Sequence, residues 1–240
     1  MQHAPHSLSR ALFVQGSIRG MSRPRLIHSD RLPYHLYGRA NNREWFHLPL
    51  SEVWAVFLRH LRVAVVEHGF LVHAFVLMSN HYHLLGTATG LSVDRVMCRL
   101  LKGISDEVNR RAGRTNHTFG GPYRWTLIED WFHYHHAFRY VYQNPLRAGL
   151  CTDVSQYPFS TLGGLVGTRE PGVPITSHPF ERLALKQIRR NGKSDWIPWL
   201  NEPYDAAHVD GLRRALSRRK FRFCLGRGSR KLPRQFVNVE

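Results

Sequence analysis

The sequence predicts an α+β fold: a ferredoxin-like antiparallel sheet with helices packed on it, followed by a basic helical or extended C-terminal extension. Two observations carry that expectation. Between Pro33 and about Thr161 the apolar period alternates between two and 3.6 in the order strand, helix, strand, strand, helix, strand, helix. That is the split βαβ order with one helix added. Beyond Thr168 the chain changes character: prolines and glycines cluster up to Pro174, and a strongly basic segment follows.

The elements follow in chain order. Tyr34-His35-Leu36-Tyr37-Gly38-Arg39-Ala40 reads as a strand, ended by the turn signal Asn41-Asn42-Arg43. Ser51 is placed to cap a helix whose buried face carries Val53, Trp54, Phe57, Leu58, Leu61 and Val65, and Gly69 stops it. Leu71 to Met78 is almost continuously apolar and β-prone. With Ser79-Asn80 and the run His81 to Gly86 it forms two strands joined by a tight turn. A second helix is expected from about Ser92 to Arg111, with Val93, Val96, Met97, Leu100, Leu101, Ile104 and Val108 as its apolar stripe and Ala112-Gly113 as its stop. Arg124 to Glu129 reads as another strand. A third helix starts after Asp130, carries Phe132, His136 and Phe138 to Tyr142, and is closed near Asn144 by Pro145. The helices are expected on one face of the sheet.

Composition bounds the partners. Lys and Arg number 34 against 17 acids, giving a net charge of +17 beside 16 histidines. Such an excess attracts polyanions, so nucleic acid or an anionic membrane surface is the first partner to consider. Residues 1–32 are polar, basic and aperiodic, which predicts a loose arm, and Met21 is a second candidate start. Residues 33–162 form the folded core, 163–179 a linker, and 180–240 an extension with helical stretches near 180–190 and 205–217. Residues 211–234 hold ten Lys and Arg and no acid, a tail expected to be disordered or ordered only on a polyanion. Three widely spaced cysteines (Cys98, Cys151, Cys224) make neither a disulfide framework nor a zinc ribbon, which fits a reducing, cytoplasmic setting. No apolar run reaches the roughly 18 residues of a membrane span.

Four residues bear candidate chemistry. On a strand, His81 and His83 project from the same face and can converge on one divalent cation. With so many histidines such a triplet also arises by chance. A second copy, His133-Tyr134-His135, falls in a predicted helix, where i and i+2 diverge. Tyr140 and Asn144 share a helical face four residues apart. A positioned tyrosine is a nucleophile, and an amide oxygen is a hard ligand suited to Mg²⁺ or Mn²⁺. Taken alone, Tyr140 reads better as a core aromatic and Asn144 as a cap before Pro145. Trp125 and Trp131 are either base-stacking or core residues.

Longer stretches sharpen this. His73-Ala74-Phe75-Val76-Leu77-Met78-Ser79-Asn80-His81-Tyr82-His83-Leu84-Leu85 resembles the metal-binding core of HUH single-tyrosine transposases. Phe138-Arg139-Tyr140-Val141-Tyr142-Gln143-Asn144-Pro145-Leu146-Arg147-Ala148-Gly149-Leu150 is similar to the nucleophile helix of their REP-associated branch. His117 to Arg124, then Ile128-Glu129-Asp130, keep the family's order, and Gly38 to Arg43 resembles its first strand and turn. The resemblance spans roughly residues 33–162. Pro122 and Arg124 depart from it, standing where a basic residue and a lysine are usual.

The resemblance implies an HUH nuclease core in which His81 and His83, with Asn144, hold one Mg²⁺ or Mn²⁺. Tyr140 then attacks phosphorus, forming a 5′-phosphotyrosine link to single-stranded DNA beside a REP-like hairpin. Asn42, Arg43, Lys102, Arg110, Arg111 and Arg124 flank the expected site as candidate DNA contacts. The implied protein is a bacterial, nucleoid-associated transposase with no membrane partner and no small-molecule substrate, monomer or homodimer. The rival expectation is a non-catalytic, domesticated hairpin-binding protein. A rolling-circle initiator is disfavoured, because no Walker loop accompanies the site.

Overall fold

The computed structural model describes residues 26–115, 117–190 and 196–223. The arm at 1–25, the end of the basic tail from 224 on, and Cys224 lie outside them. The sheet comprises β1 (Tyr34–Arg39), β2 (Phe70–Leu77), β3 (His81–Ala88) and β4 (Arg124–Leu127). Its order is β2-β3-β1-β4 and every neighbouring pair is antiparallel. Helices α1 (Leu50–His68) and α2 (Val93–Arg111) are the two crossovers of the ferredoxin-like plan. The expected fold class is the one found.

The expectation of helices on one face is corrected: both faces are covered. Tyr34, Leu36, Tyr82 and Leu84 pack with α1 and α2 in one core. A second core joins Ala74, Val76 and Leu85 to α3 (Trp131–Tyr142), α6 (Pro179–Arg190), α7 (Trp196–Asn201) and α8 (Ala206–Leu216). The sequence shows why on inspection of β2, which is apolar at both parities and buried almost throughout. A bulge at His73, where the register slips between Val72 and Ala74, lets Phe70, Val72, Phe75 and Leu77 all enter the first core.

Two helix boundaries differ from expectation, and one helix is additional. The first helix starts at Leu50 after Pro49, whose carbonyl accepts from the N–H groups of Glu52 and Val53, so Ser51 sits inside the first turn. Pro145 does not end the chain's helical course. It lies at the start of a short helix α4 (Asn144–Arg147), where a missing N–H leaves no bond unmade. Gly149, at φ +69°, supplies the left-handed stop instead. Helix α7 lies outside the helical stretches expected in the extension; its Trp196, Trp199 and Leu200 bury against α3.

Both sheet edges are covered, which removes free strand templates. On the β2 side, Thr161 N–H donates to the Phe75 carbonyl at 3.0 Å and Thr176 N–H to Val72 at 2.8 Å. A short helix, α5 (Leu162–Leu165), lies between these two contacts. On the β4 side, Leu127 N–H donates to the Arg219 carbonyl at 2.9 Å, and the Leu127 carbonyl accepts from Phe221 N–H at 2.8 Å. Lys220 and Arg222 pair with Glu129 across that edge. The tail expected to order only on a polyanion is therefore already ordered as far as residue 223. Lys220 and Arg222 find an acid, Glu129, just after β4, and Phe221 and Phe223 are buried. Among the described residues, no helix is long and apolar enough to cross a membrane.

Candidate active site

Period two decides which strand residues meet. His35, Tyr37 and Arg39 of β1 and His81 and His83 of β3 face away from α1 and α2. The register sets Tyr37 opposite His83 and Arg39 opposite His81. Tyr37 also pairs with Arg124 on β4. Asp130 caps α3 by accepting from His133 N–H at 2.9 Å, and the helix then lays Tyr140 over this face. The result is a cleft of about 390 Å³.

Of the sequence candidates, the structure brings His81, His83, Tyr140, Asn144 and Arg124 into that cleft. The His83 ring centroid is 5.6 Å from that of Tyr140 and 5.2 Å from that of His81. Each histidine has its Nδ1 engaged. His81 Nδ1 is 2.7 Å from Asn80 Oδ1, and Asn80 Nδ2 in turn donates to the Arg43 carbonyl at 2.7 Å. His83 Nδ1 is 2.9 Å from Nε2 of the buried His35. That leaves Nε2 of each as the nitrogen for a ligand, with a partner behind it of the kind that orients metal-binding imidazoles.

Burial keeps these rings neutral. It lowers His81 to about 4, with the Arg39 charge adding to the effect. Burial, then the neighbouring His35 and His81, drives His83 well below its ordinary value. Neutral imidazoles have lone pairs free for a cation. The donor set therefore fits one divalent ion at two points. Asn144 fits less readily, because its Oδ1 already accepts from Arg147 Nη2 at 2.9 Å while its Nδ2 donates to the Tyr140 carbonyl at 2.9 Å. Among the described residues, no group of three His, Cys, Asp or Glu is arranged around a common point.

Arg147 is the residue that sequence reading passed over. Its guanidinium carbon lies 4.1 Å above the Tyr140 ring. Its Nη1 is buried without a hydrogen-bond partner. A buried guanidinium donor left unpaired is costly, so the site is prepared for an acceptor brought from outside. Tyr140 and Arg147 are seven apart, two helical turns, and the same facing argument that linked Tyr140 to Asn144 reaches Arg147 once Pro145 is not taken as a stop. Arg39, Arg124, Arg147 and Arg213 line the cleft, and no described lining residue is acidic. His35 and Tyr37 needed the strand pairing, which no local pattern reveals.

The other proposed DNA contacts fall elsewhere. Asn42 and Arg43 form a single turn after β1 at φ of 53° and 62°, exposed and outside the cleft lining. Lys102, Arg110 and Arg111 are on α2, across the sheet from the cleft. Lys102 pairs with Asp106 at 2.5 Å, and Arg111 with Glu107 at 2.6 Å. His133 and His135 diverge on α3, one to Asp130 and the other against Trp199. Trp125 and Trp131 are half-buried.

No family model and no curated protein matches the chain. Among solved structures, a REP-associated tyrosine transposase bound to a REP hairpin matches 65% of this chain and 93% of its own length, at TM-score 0.50 and 22% identity. The likeness is one of fold. The chain has the α+β architecture of that transposase, with a four-stranded antiparallel sheet carrying helices.

Proposed function

We propose that the chain is a metal-dependent, single-strand DNA endonuclease and strand transferase that acts beside hairpins through a 5′-phosphotyrosine intermediate. One observation carries the reading: the Tyr140 ring lies between a neutral histidine pair and a half-buried arginine whose buried Nη1 is an unfilled donor, in a cleft lined by arginines and no described acid. A nucleophile so placed requires an anionic electrophile, and a phosphodiester is the anionic electrophile of DNA. The fold shared with a transposase bound to a DNA hairpin supports the same substrate.

His81 and His83 would hold Mg²⁺ or Mn²⁺ through Nε2, and such an ion would supply Lewis-acid polarisation of the scissile phosphate and charge neutralisation at the leaving oxygen. Arg147 Nη1 donates to a non-bridging phosphate oxygen, and its stacking fixes the plane of the Tyr140 ring. Asn144 ties Arg147 to the Tyr140 carbonyl, so nucleophile and anion clamp move as one unit. Tyr140 Oη attacks phosphorus, the bond to O3′ breaks, and the phenolic proton is balanced by the one gained at the free 3′-hydroxyl. Attack by another 3′-hydroxyl reverses the step and joins strands without a nucleotide cofactor.

The test is direct. The full chain with Mn²⁺ and hairpin oligonucleotides carrying single-stranded flanks should give an adduct that survives denaturing electrophoresis. Tyr140→Phe should abolish it while hairpin binding persists. Adducts persisting in that variant would remove Tyr140 as nucleophile. Tight binding without adduct across many hairpins would instead favour a non-catalytic binding protein.

A further inference from the structure

The cleft has a wall that neither the sheet nor α3 supplies. Arg213, Leu216 and Ser217, from α8 and the residue after it, also line it. Helix geometry puts them there. Val209, Leu212 and Ala215 are buried at spacing three, and positions 213, 216 and 217 lie together along one edge of that stripe. The helix is fastened at both ends. Asp205 caps it by accepting from His208 N–H at 2.7 Å. After it, residues 219–221 pair with β4. Gly211 packs so closely under Phe223 that a Cβ there would come within 2.9 Å of the ring.

Charge then says what this wall meets. Four arginines face the cleft among the described residues, beside three neutral imidazoles and no acid. A phosphodiester carries one negative charge, so the phosphate attacked by Tyr140 balances one of these four arginines and leaves charge for a neighbouring phosphate, and Arg213 is the one that α8 supplies. Its partner on the page is Asp210 at 3.3 Å, an exposed pair three residues back on the same helix. Such pairs are weak and readily exchanged for a phosphate.

We propose that α8 is a substrate clamp: Arg213 binds a backbone phosphate next to the one Tyr140 attacks, making the C-terminal extension part of the single-stranded DNA site. This rests on the nuclease reading above. Arg214 is the internal control, exposed on the same helix but absent from the cleft lining.

The experiment measures binding of the full chain, in EDTA, to a fluorescein-labelled hairpin with a short single-stranded 5′ flank, across a salt series. Arg213→Ala should weaken binding about fivefold and flatten the slope of log K against log salt by about 0.7, the loss of one single-strand phosphate contact. Arg213→Lys should keep most of the affinity, and Arg214→Ala should match wild type. Equal effects of Arg213→Ala and Arg214→Ala, in a wild type that binds and forms adducts, would overturn the clamp alone. A wild type that binds no flanked hairpin would overturn both the clamp and the nuclease reading.

Discussion

His35 Nε2 lies 2.9 Å from His83 Nδ1, and both rings are buried. Burial lowers His35 to about 3, so the pair is neutral and shares a single proton along the contact. When that proton sits on His83 Nδ1, His83 Nε2 carries a lone pair into the cleft. Asn80 does the same for His81 without ambiguity. Its Nδ2 is committed to the Arg43 carbonyl, so Oδ1 faces His81 and selects the tautomer with Nε2 free.

If both contacts orient ligands, their loss should weaken metal binding before it affects the fold. We expect His35→Ala and Asn80→Ala each to lower Mn²⁺ affinity by about tenfold or more, read by electron paramagnetic resonance of the full chain without DNA. Unchanged affinity in both variants, with His81→Ala also silent, would remove the histidine pair as the cation site.

Arg147 should separate charge from shape. Lysine retains the charge but offers no planar fork to stack on Tyr140 and hold Asn144 Oδ1 together. Arg147→Ala is expected to slow adduct formation by about a hundredfold at saturating DNA. Arg147→Lys should recover affinity for the flanked hairpin but little of that rate. A lysine variant at full rate would mean that only the charge matters and that the 4.1 Å stacking contact is incidental.

These residues also mark what the sequence could reveal. Strand parity alone puts His81 beside His83, and helical spacing alone puts Tyr140 beside Asn144, because both relations are local. The meeting of the two pairs needed the resemblance, since nothing local states that α3 crosses the face of β3. His35 and Arg213 were out of reach for the same reason: one enters through strand register and the other through a helix far along the chain. The α2 cations lie outside the cleft for another reason. Lys102 and Arg111, expected as DNA contacts, pair with acids on their own helix, Asp106 and Glu107. An i,i+4 count would have found both.

The histidine excess has a cost in acid that is separate from the cleft. His73 donates or accepts at both ring nitrogens, to the Thr176 carbonyl at 2.6 Å and Thr87 Oγ1 at 2.8 Å. Burial holds it at about 4, and His135 at about 3. His136, against the Tyr204 hydroxyl at 2.8 Å, is driven well below its ordinary value by burial and then by His135 and Arg139. All three are neutral when folded and take up a proton near pH 6.5 when unfolded. Their contribution is complete above that pH and is lost as pH falls toward 4, at up to about 1.4 kcal/mol per pH unit for each. Glu181 acts with the opposite sign, since burial raises its carboxyl and the fold gains as that group is protonated. One carboxyl cannot offset three imidazoles. Urea unfolding should therefore show stability dropping steeply between pH 6.5 and 5, by about 3 kcal/mol or more per unit. His73→Gln should flatten that slope by about one proton's worth, whatever it does to stability at neutral pH. A slope that His73→Gln leaves unchanged would mean that His73 titrates normally in the folded protein.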